Sequence, residues 1–111
     1  MEFWFSECHS PNVKFSVKVD KHLYTAENDL GRVDIFESPE FGRFLAVDGY
    51  IIFTQRDEFI YDEMLSHIPM AVHPTAQKIL VFGSGDGGVV RELLKYKSIQ
   101  QIDLIEINEG V

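Results

Sequence analysis

Apolar and polar residues alternate from Val13 onward: Val13, Phe15, Val17 and Val19 fall on one side, and Lys14, Ser16, Lys18 and Asp20 on the other. A period of two predicts a strand with one buried face. Ahead of it, Phe3-Trp4-Phe5 gives way to Ser10-Pro11-Asn12, which has the composition of a turn. After a polar stretch around Ala26-Glu27-Asn28-Asp29, a second strand is expected near Arg32 to Glu37, with Val33 and Ile35 facing one way. Ser38-Pro39-Glu40-Phe41-Gly42 reads as a loop and Arg43 to Val47 as a third strand. Asp48-Gly49 then signals a hairpin, because both central positions of a type I′ turn need positive φ. Tyr50 to Thr54 is its partner strand. Residues 1–54 therefore read as an antiparallel β-domain.

The period changes at Gln55. Asp57 to Ile68 carries acids early and apolar residues at Ile60, Met64, Leu65 and Ile68, one face of a helix that Pro69 is placed to end or kink. Residues 55–75 form this connecting helix and a linker through His73-Pro74-Thr75. From residue 76 to 111 the order is strand, tight turn, helix, strand. Lys78 to Phe82 is apolar, Gly83, Gly85 and Gly88 fit G-x-G-x-x-G, Val89 to Leu94 is helical in composition, and Ile102 to Ile105 is the second strand. The fold class expected is α+β followed by α/β, with the last segment the first βαβ unit of a Rossmann-like domain.

Glu106 follows that second strand, about where such folds place the acid that takes ribose hydroxyls, roughly twenty residues past the turn. An adenosine-like ligand follows. Asp86 narrows the choice: a helix N-terminus with free N–H groups welcomes phosphate, and a carboxylate among them fills the site and repels a second anion. A pyrophosphate is disfavoured, and a neutral or cationic ligand such as S-adenosylmethionine or its decarboxylated form is favoured. The alternative for Asp86 is a plain N-cap of the following helix.

Composition sets further bounds. The net charge of −8 and pI near 4.8, with no basic cluster, exclude a nucleic-acid partner. Acidic clefts attract cations, so a polyamine is a suitable partner, although acidity for solubility explains the charge equally well. Cys8 alone forms no internal disulfide and fits a reducing compartment. No apolar stretch approaches a membrane span and Met1 onward is not a signal peptide, so a cytoplasmic protein without membrane contact is expected. His9, His22, His67 and His73 match no ligand spacing, and no metal site is expected. Asp57, Glu58, Asp62 and Glu63 suit a helix start whatever the function; alternatively Tyr61 and Asp62 line a cleft and hold an ammonium group. A parallel βαβ unit needs further elements to cover it, so the chain is expected to be a fragment, or a truncated form, of a longer protein.

Three stretches in order, Asp48-Gly49, Asp57 to His67 (DEFIYDEMLSH) and Gly83 to Glu92 (GSGDGGVVRE), resemble the polyamine aminopropyltransferases, of which spermidine synthase is the commonest. The likeness runs from about Gly31 to Val111. It implies a β-domain that makes oligomer contacts in a homodimer or homotetramer, then a Rossmann-like domain of the methyltransferase type. It also implies aminopropyl transfer from decarboxylated S-adenosylmethionine, a co-substrate and not a cofactor, to putrescine, giving spermidine and methylthioadenosine. By position, Gly83, Gly85, Asp86, Gly87 and Glu106 would bind the donor, with Asp86 on its amine and Glu106 on its ribose, and Tyr61 and Asp62 would bind the amine substrate. The family's general base is an Asp in a later motif, so this segment alone would be inactive. Departures from the family pattern are Ser84 for Gly, Asn108 for Asp, Gly31 and Ile52 for Gln, and Asp62 for His or Gln. Two rival functions remain: an S-adenosylmethionine methyltransferase and a non-catalytic β-domain oligomerisation module. A nicotinamide-dependent dehydrogenase is disfavoured by Asp86.

Overall fold

Six strands fill the first half of the chain in the computed structural model, which describes residues 1–111: β1 (Phe3–Ser10), β2 (Val13–Val19), β3 (Lys21–Asn28), β4 (Gly31–Ser38), β5 (Gly42–Val47) and β6 (Tyr50–Thr54). β1 and β2 form an antiparallel hairpin, and β3 to β6 form a four-stranded antiparallel sheet in sequence order. Asp48 and Gly49 hold φ of 53° and 83°, the positive values that the two-residue turn between β5 and β6 requires. The Asp48 carboxylate steadies that turn by accepting the Arg32 N–H at 2.8 Å.

The core of this unit, Met1–Asp57, is aromatic. Phe5, Val17 and Val19 of the hairpin pack against Phe36, Phe44 and Ile51 of the sheet. The ring of Phe5 lies 5.1 Å from that of Phe36 and 5.5 Å from that of Phe44, separations at which aromatic pairs attract. Ile51 N–H also donates to Glu7 Oε2 at 2.6 Å, tying β6 to β1.

Two strands escape the sequence reading. β1 covers residues assigned above to an aromatic start and a turn; its ladder with β2 runs from Phe3↔Val19 to Ser10↔Val13 with an irregularity between Cys8 and Ser10 that blurs any period. β3 covers most of the polar stretch. It is the edge of its sheet and almost wholly exposed, so only its pairing with β4, and no buried face, makes it a strand. In β2 the expected apolar face is buried only at Val17 and Val19, while Val13 and Phe15 are exposed.

The second unit, Glu58–Glu109, comprises α1 (Glu58–Val72), β7 (Lys78–Phe82), α2 (Gly88–Leu93) and β8 (Gln101–Ile105). β7 and β8 pair in parallel with Ile79↔Ile102 and Val81↔Leu104 in register, as expected of a βαβ unit. Met70, Ala76, Val81, Val89 and Leu93 form its core, with Ile79, Tyr96, Ile99 and Ile102 against them. Leu80 and Phe82 point to the opposite face and are exposed.

The helix α1 departs from expectation twice. It runs through Pro69 to Val72, with the His73 N–H bonded to Pro69 O at 2.9 Å. Its buried face is Asp62, Ser66 and Met70, whereas Ile60, Met64, Leu65 and Ile68 are exposed. Small and polar side chains let α1 approach α2 closely: Ser66 Oγ donates to Val89 O at 3.3 Å, and Asp62 lies over Gly88. The longer apolar residues would hold the two backbones apart.

Phe44, 1% exposed, is the residue shared by both layers of the β unit. Phe44→Ala is expected to cost about 3–5 kcal/mol of stability, read by urea denaturation of the β signal. A loss below about 1 kcal/mol would show that the hairpin does not depend on that ring.

Candidate functional site

The turn between β7 and α2 is built on reversed backbone. Gly83, Ser84 and Gly87 have φ of 77°, 56° and 90°, and Gly83 N–H donates to Ile105 O at 2.7 Å, which binds the turn to the end of β8. Ser84 is therefore a side-chain-bearing residue in the left-handed region, where the family pattern quoted above has glycine. Glu106 crosses the turn: its Oε1 accepts the Gly85 N–H at 3.1 Å and its Oε2 the Asn108 N–H at 3.3 Å. A Cβ on residue 85 would come within 2.7 Å of Glu106 Cγ, so only glycine admits the acid here. Each carboxylate oxygen keeps a further lone pair for a hydroxyl.

Asp86 precedes the helix cap. Gly87 is the residue at the cap position, in left-handed conformation and without a side chain of its own, so the capping contact weighed for Asp86 comes from one position earlier. Asp86 is exposed, yet its Oδ2 turns back to accept the Gly88 N–H at 3.3 Å. A carboxylate thus occupies the first donor of α2.

Three acids converge at that point. Carboxylate oxygens of Glu58, Asp62 and Asp86 all lie within 4.8 Å of one another. Asp62 is 3% exposed, and a Cβ on Gly88 would fall inside its carboxylate. One cation serves the group: Arg91 Nη1 donates to Glu58 Oε1 at 2.9 Å, and its Nη2 stands 3.5 Å from Asp62 Oδ2. Asp62 Oδ2 makes no hydrogen bond. Burial, then a shared hydrogen bond with Glu58 and the charges of Glu58 and Asp86, push the Asp62 carboxyl up to about 7, against the pull of Arg91. The same contact with Asp62, helped by Arg91, holds Glu58 below the usual carboxylate range. At neutral pH Asp62 is therefore only partly ionised, while Glu58 carries its charge.

The structure thus gathers Gly83, Gly85, Gly87 and Glu106 around the turn, and joins Asp86 to Asp62. Tyr61 is exposed and takes no part in the acidic cluster. Of the four acids noted on the helix, Asp57 instead accepts the Thr54 hydroxyl at 2.6 Å and Glu63 is exposed. The sequence reading names Glu58 only among the acids of the helix start and gives Arg91 no role, whereas the structure sets both beside Asp62. The signal was available: Glu58 and Asp62 are four apart on one helical face, and Arg91 sits one turn into the helix that begins at the glycines. Glu92, 2% exposed, anchors a neighbouring network in which Lys95 Nζ lies 2.7 Å from its Oε2 and His67 Nε2 lies 3.6 Å from its Oε1, while His67 Nδ1 meets Tyr96 Oη at 2.6 Å. In the β unit, the space a side chain at Gly31 would fill is taken by Asp48, whose Oδ1 would lie 2.6 Å from a Cβ there.

Known proteins resemble this chain along its length. Residues 3–55 match the family model of the spermidine synthase tetramerisation domain, and residues 58–111 that of the spermine/spermidine synthase domain. The polyamine aminopropyltransferase of Lachnospira eligens is 55% identical over 106 residues, 96% of this chain and 37% of that protein. That of Clostridium botulinum strain Alaska E43 is 52% identical over 111 residues, 100% of this chain and 39% of that protein. The crystal structure of spermidine synthase from Thermotoga maritima superposes with a TM-score of 0.92 at 40% identity, covering 97% of this chain and 38% of that one. A spermidine synthase in complex with the transition-state analogue AdoDATO gives the same TM-score of 0.92, with 37% of that chain covered. The chain spans less than two fifths of the length of these relatives.

The proton on Asp62 gives the fold a pH signature. A carboxyl raised on folding adds stability that is present at low pH and is lost as pH climbs from its ordinary value towards about 7. Asp62→Asn cannot titrate, so its melting temperature relative to the parent should rise across that window and level off above it; a constant difference would contradict the raised value. Gly85→Ala should displace Glu106 from the turn, seen as loss of protection of the Asn108 amide in hydrogen exchange.

Proposed function

Because this chain belongs to the polyamine aminopropyltransferase (spermidine synthase) family, we propose that the protein carrying it transfers the aminopropyl group of decarboxylated S-adenosylmethionine to putrescine, giving spermidine and methylthioadenosine. The observation that carries the reading is the placement of Asp86 on the first donor of α2 with two further carboxylates beside it. Such a site repels a diphosphate and attracts the positive charges of a sulfonium donor and an amine.

On this reading Gly83, Gly85 and Gly87 bring the backbone close to the donor. Glu106 receives the ribose hydroxyls on its free lone pairs, and Asp86 holds the amine of the aminopropyl arm. Tyr61 and Asp62 flank the amine substrate. The sulfonium is already an activated leaving group, so the protein's main task is to align a neutral amine behind the donor carbon. The amine must lose a proton before it attacks. The base that takes it lies, on this reading, in sequence beyond residues 1–111. The β unit serves assembly with further copies of the chain, which its match to the spermidine synthase tetramerisation domain supports.

The parallel βαβ turn would equally suit an S-adenosylmethionine methyltransferase, and charge discriminates between the two. That donor carries a carboxylate where the decarboxylated one carries only hydrogen, and Asp86 should repel it. Calorimetry on the full-length gene product is expected to show binding of decarboxylated S-adenosylmethionine at least ~10-fold tighter than of S-adenosylmethionine. Asp86→Asn should weaken the decarboxylated donor by ~10- to 100-fold, the worth of a charged hydrogen bond. Equal affinity for both donors, or methyl transfer in place of methylthioadenosine formation, would overturn the assignment. Assembly without binding of either donor would favour the oligomerisation module.

A further inference from the structure

A cavity of about 540 Å³ opens in the β unit between the hairpin β1–β2 and the start of β3, where Asp20 joins the two layers. Phe3, Trp4 and Phe5 line it from the hairpin, and His22 and Phe36 from the sheet. The sheet wall is fixed: the His22 ring stacks on Phe36 at 4.5 Å, and its Nε2 lies 2.8 Å from Oδ1 of buried Asp34, which Arg32 Nε holds in turn at 2.9 Å. The hairpin rim is bare, with Phe3 61% and Trp4 55% exposed. Knob and hollow thus lie side by side on one surface. That is the self-complementarity a two-fold axis demands, because each copy must offer both the group that inserts and the place that receives it. Charge agrees: Asp20 and Lys21, of opposite sign and both exposed, are neighbours at the cavity, so a two-fold axis can bring each against its opposite on a second copy. The edge of β3 is a poorer joint, since a bulge between His22 and Tyr24 interrupts its ladder and Lys21 and Glu27 charge it, which blunts strand addition.

We infer that this aromatic cavity is the face on which two copies of the chain meet about a two-fold axis, with Phe3 and Trp4 of each copy seated in the cavity of the other and Asp20 of one beside Lys21 of the other. The inference rests on the reading of the β unit as an assembly module and assigns the surface that performs it. A second copy is the occupant because the match to the spermidine synthase tetramerisation domain, residues 3–55, begins at Phe3 and takes in every residue of the contact. Aromatic anchors suit such an interface: flat, rigid rings exclude water over a large area at small cost in side-chain freedom. An assembly of two copies uses this face once, and an assembly of four with dihedral symmetry uses it as one of its two-fold contacts, so breaking it halves the mass in either case.

Sedimentation of the full-length gene product across a concentration series reads the mass of the assembly. Trp4→Glu, at an exposed position whose indole bonds to Glu2 on the surface, should raise the dissociation constant at least ~30-fold, the worth of one interface hot spot, and halve the mass at micromolar protein. Asp20→Lys should weaken assembly ~5- to 10-fold at low ionic strength by setting like charges across the axis, and adding Lys21→Asp should restore it. Rescue by charge exchange is a result that loss of fold cannot give. Phe15→Glu, also exposed but towards the turn of the hairpin, should leave the mass unchanged. Full mass retained in Trp4→Glu, or mass lost in Phe15→Glu alone, overturns this inference and leaves the assembly role of the β unit standing. Failure of the exchanged pair to recover overturns the two-fold arrangement. A parent that sediments as a single chain at every concentration overturns the assembly reading, and this inference with it.

Discussion

The carboxylate of Asp62 pressed against Gly88 is the contact on which the second unit turns. It brings α1 within reach of the backbone of α2, and places an acid at the helix end that carries partial positive charge. A side chain on residue 88 would push the helices apart; an apolar residue at 62 would leave Arg91 without one of its two acidic partners on α1. The raised carboxyl is the energetic consequence of the same closeness. Burial and neighbouring charge act together, and Arg91 offsets only part of them.

The turn that leads into α2 is held from the other side by Glu106. Its two oxygens accept backbone N–H groups from either side of β8's end, so the acid is part of the turn's own architecture before any ligand arrives. Two backbone donors fix the orientation of the carboxylate at the end of β8. Asp86 is held more lightly, by a single 3.3 Å contact to Gly88 N–H, and faces solvent. One acid is a strut; the other is exposed at the turn.

The β unit obeys different physics. Its stability comes from aromatic rings between a hairpin and a sheet, and from a turn whose two residues sit at positive φ. Its edge strand β3 is polar and exposed, and its outer hairpin strand shows Phe3 and Trp4 to solvent. Apolar side chains left bare on β1 and on α1 are surfaces that this chain by itself does not cover.

The sequence by itself determined whatever is written in local chemistry. The Asp48-Gly49 turn, four of the β unit's strands, the β7-turn-α2-β8 order and the acids at 86 and 106 were all legible, because turn geometry and periodicity are properties of neighbouring residues. β1 and β3 were not, since pairing alone makes them strands. The buried face of α1 was misread for a related reason: hydrophobicity names the residues that prefer burial, but the close approach of α1 to α2 selects small and polar ones. Only the tertiary structure could set Glu58, Asp62, Asp86 and Arg91 around one point. Their charges act through space, between residues up to 33 positions apart in the chain, and distance in space is what decides how many of them can be ionised at once.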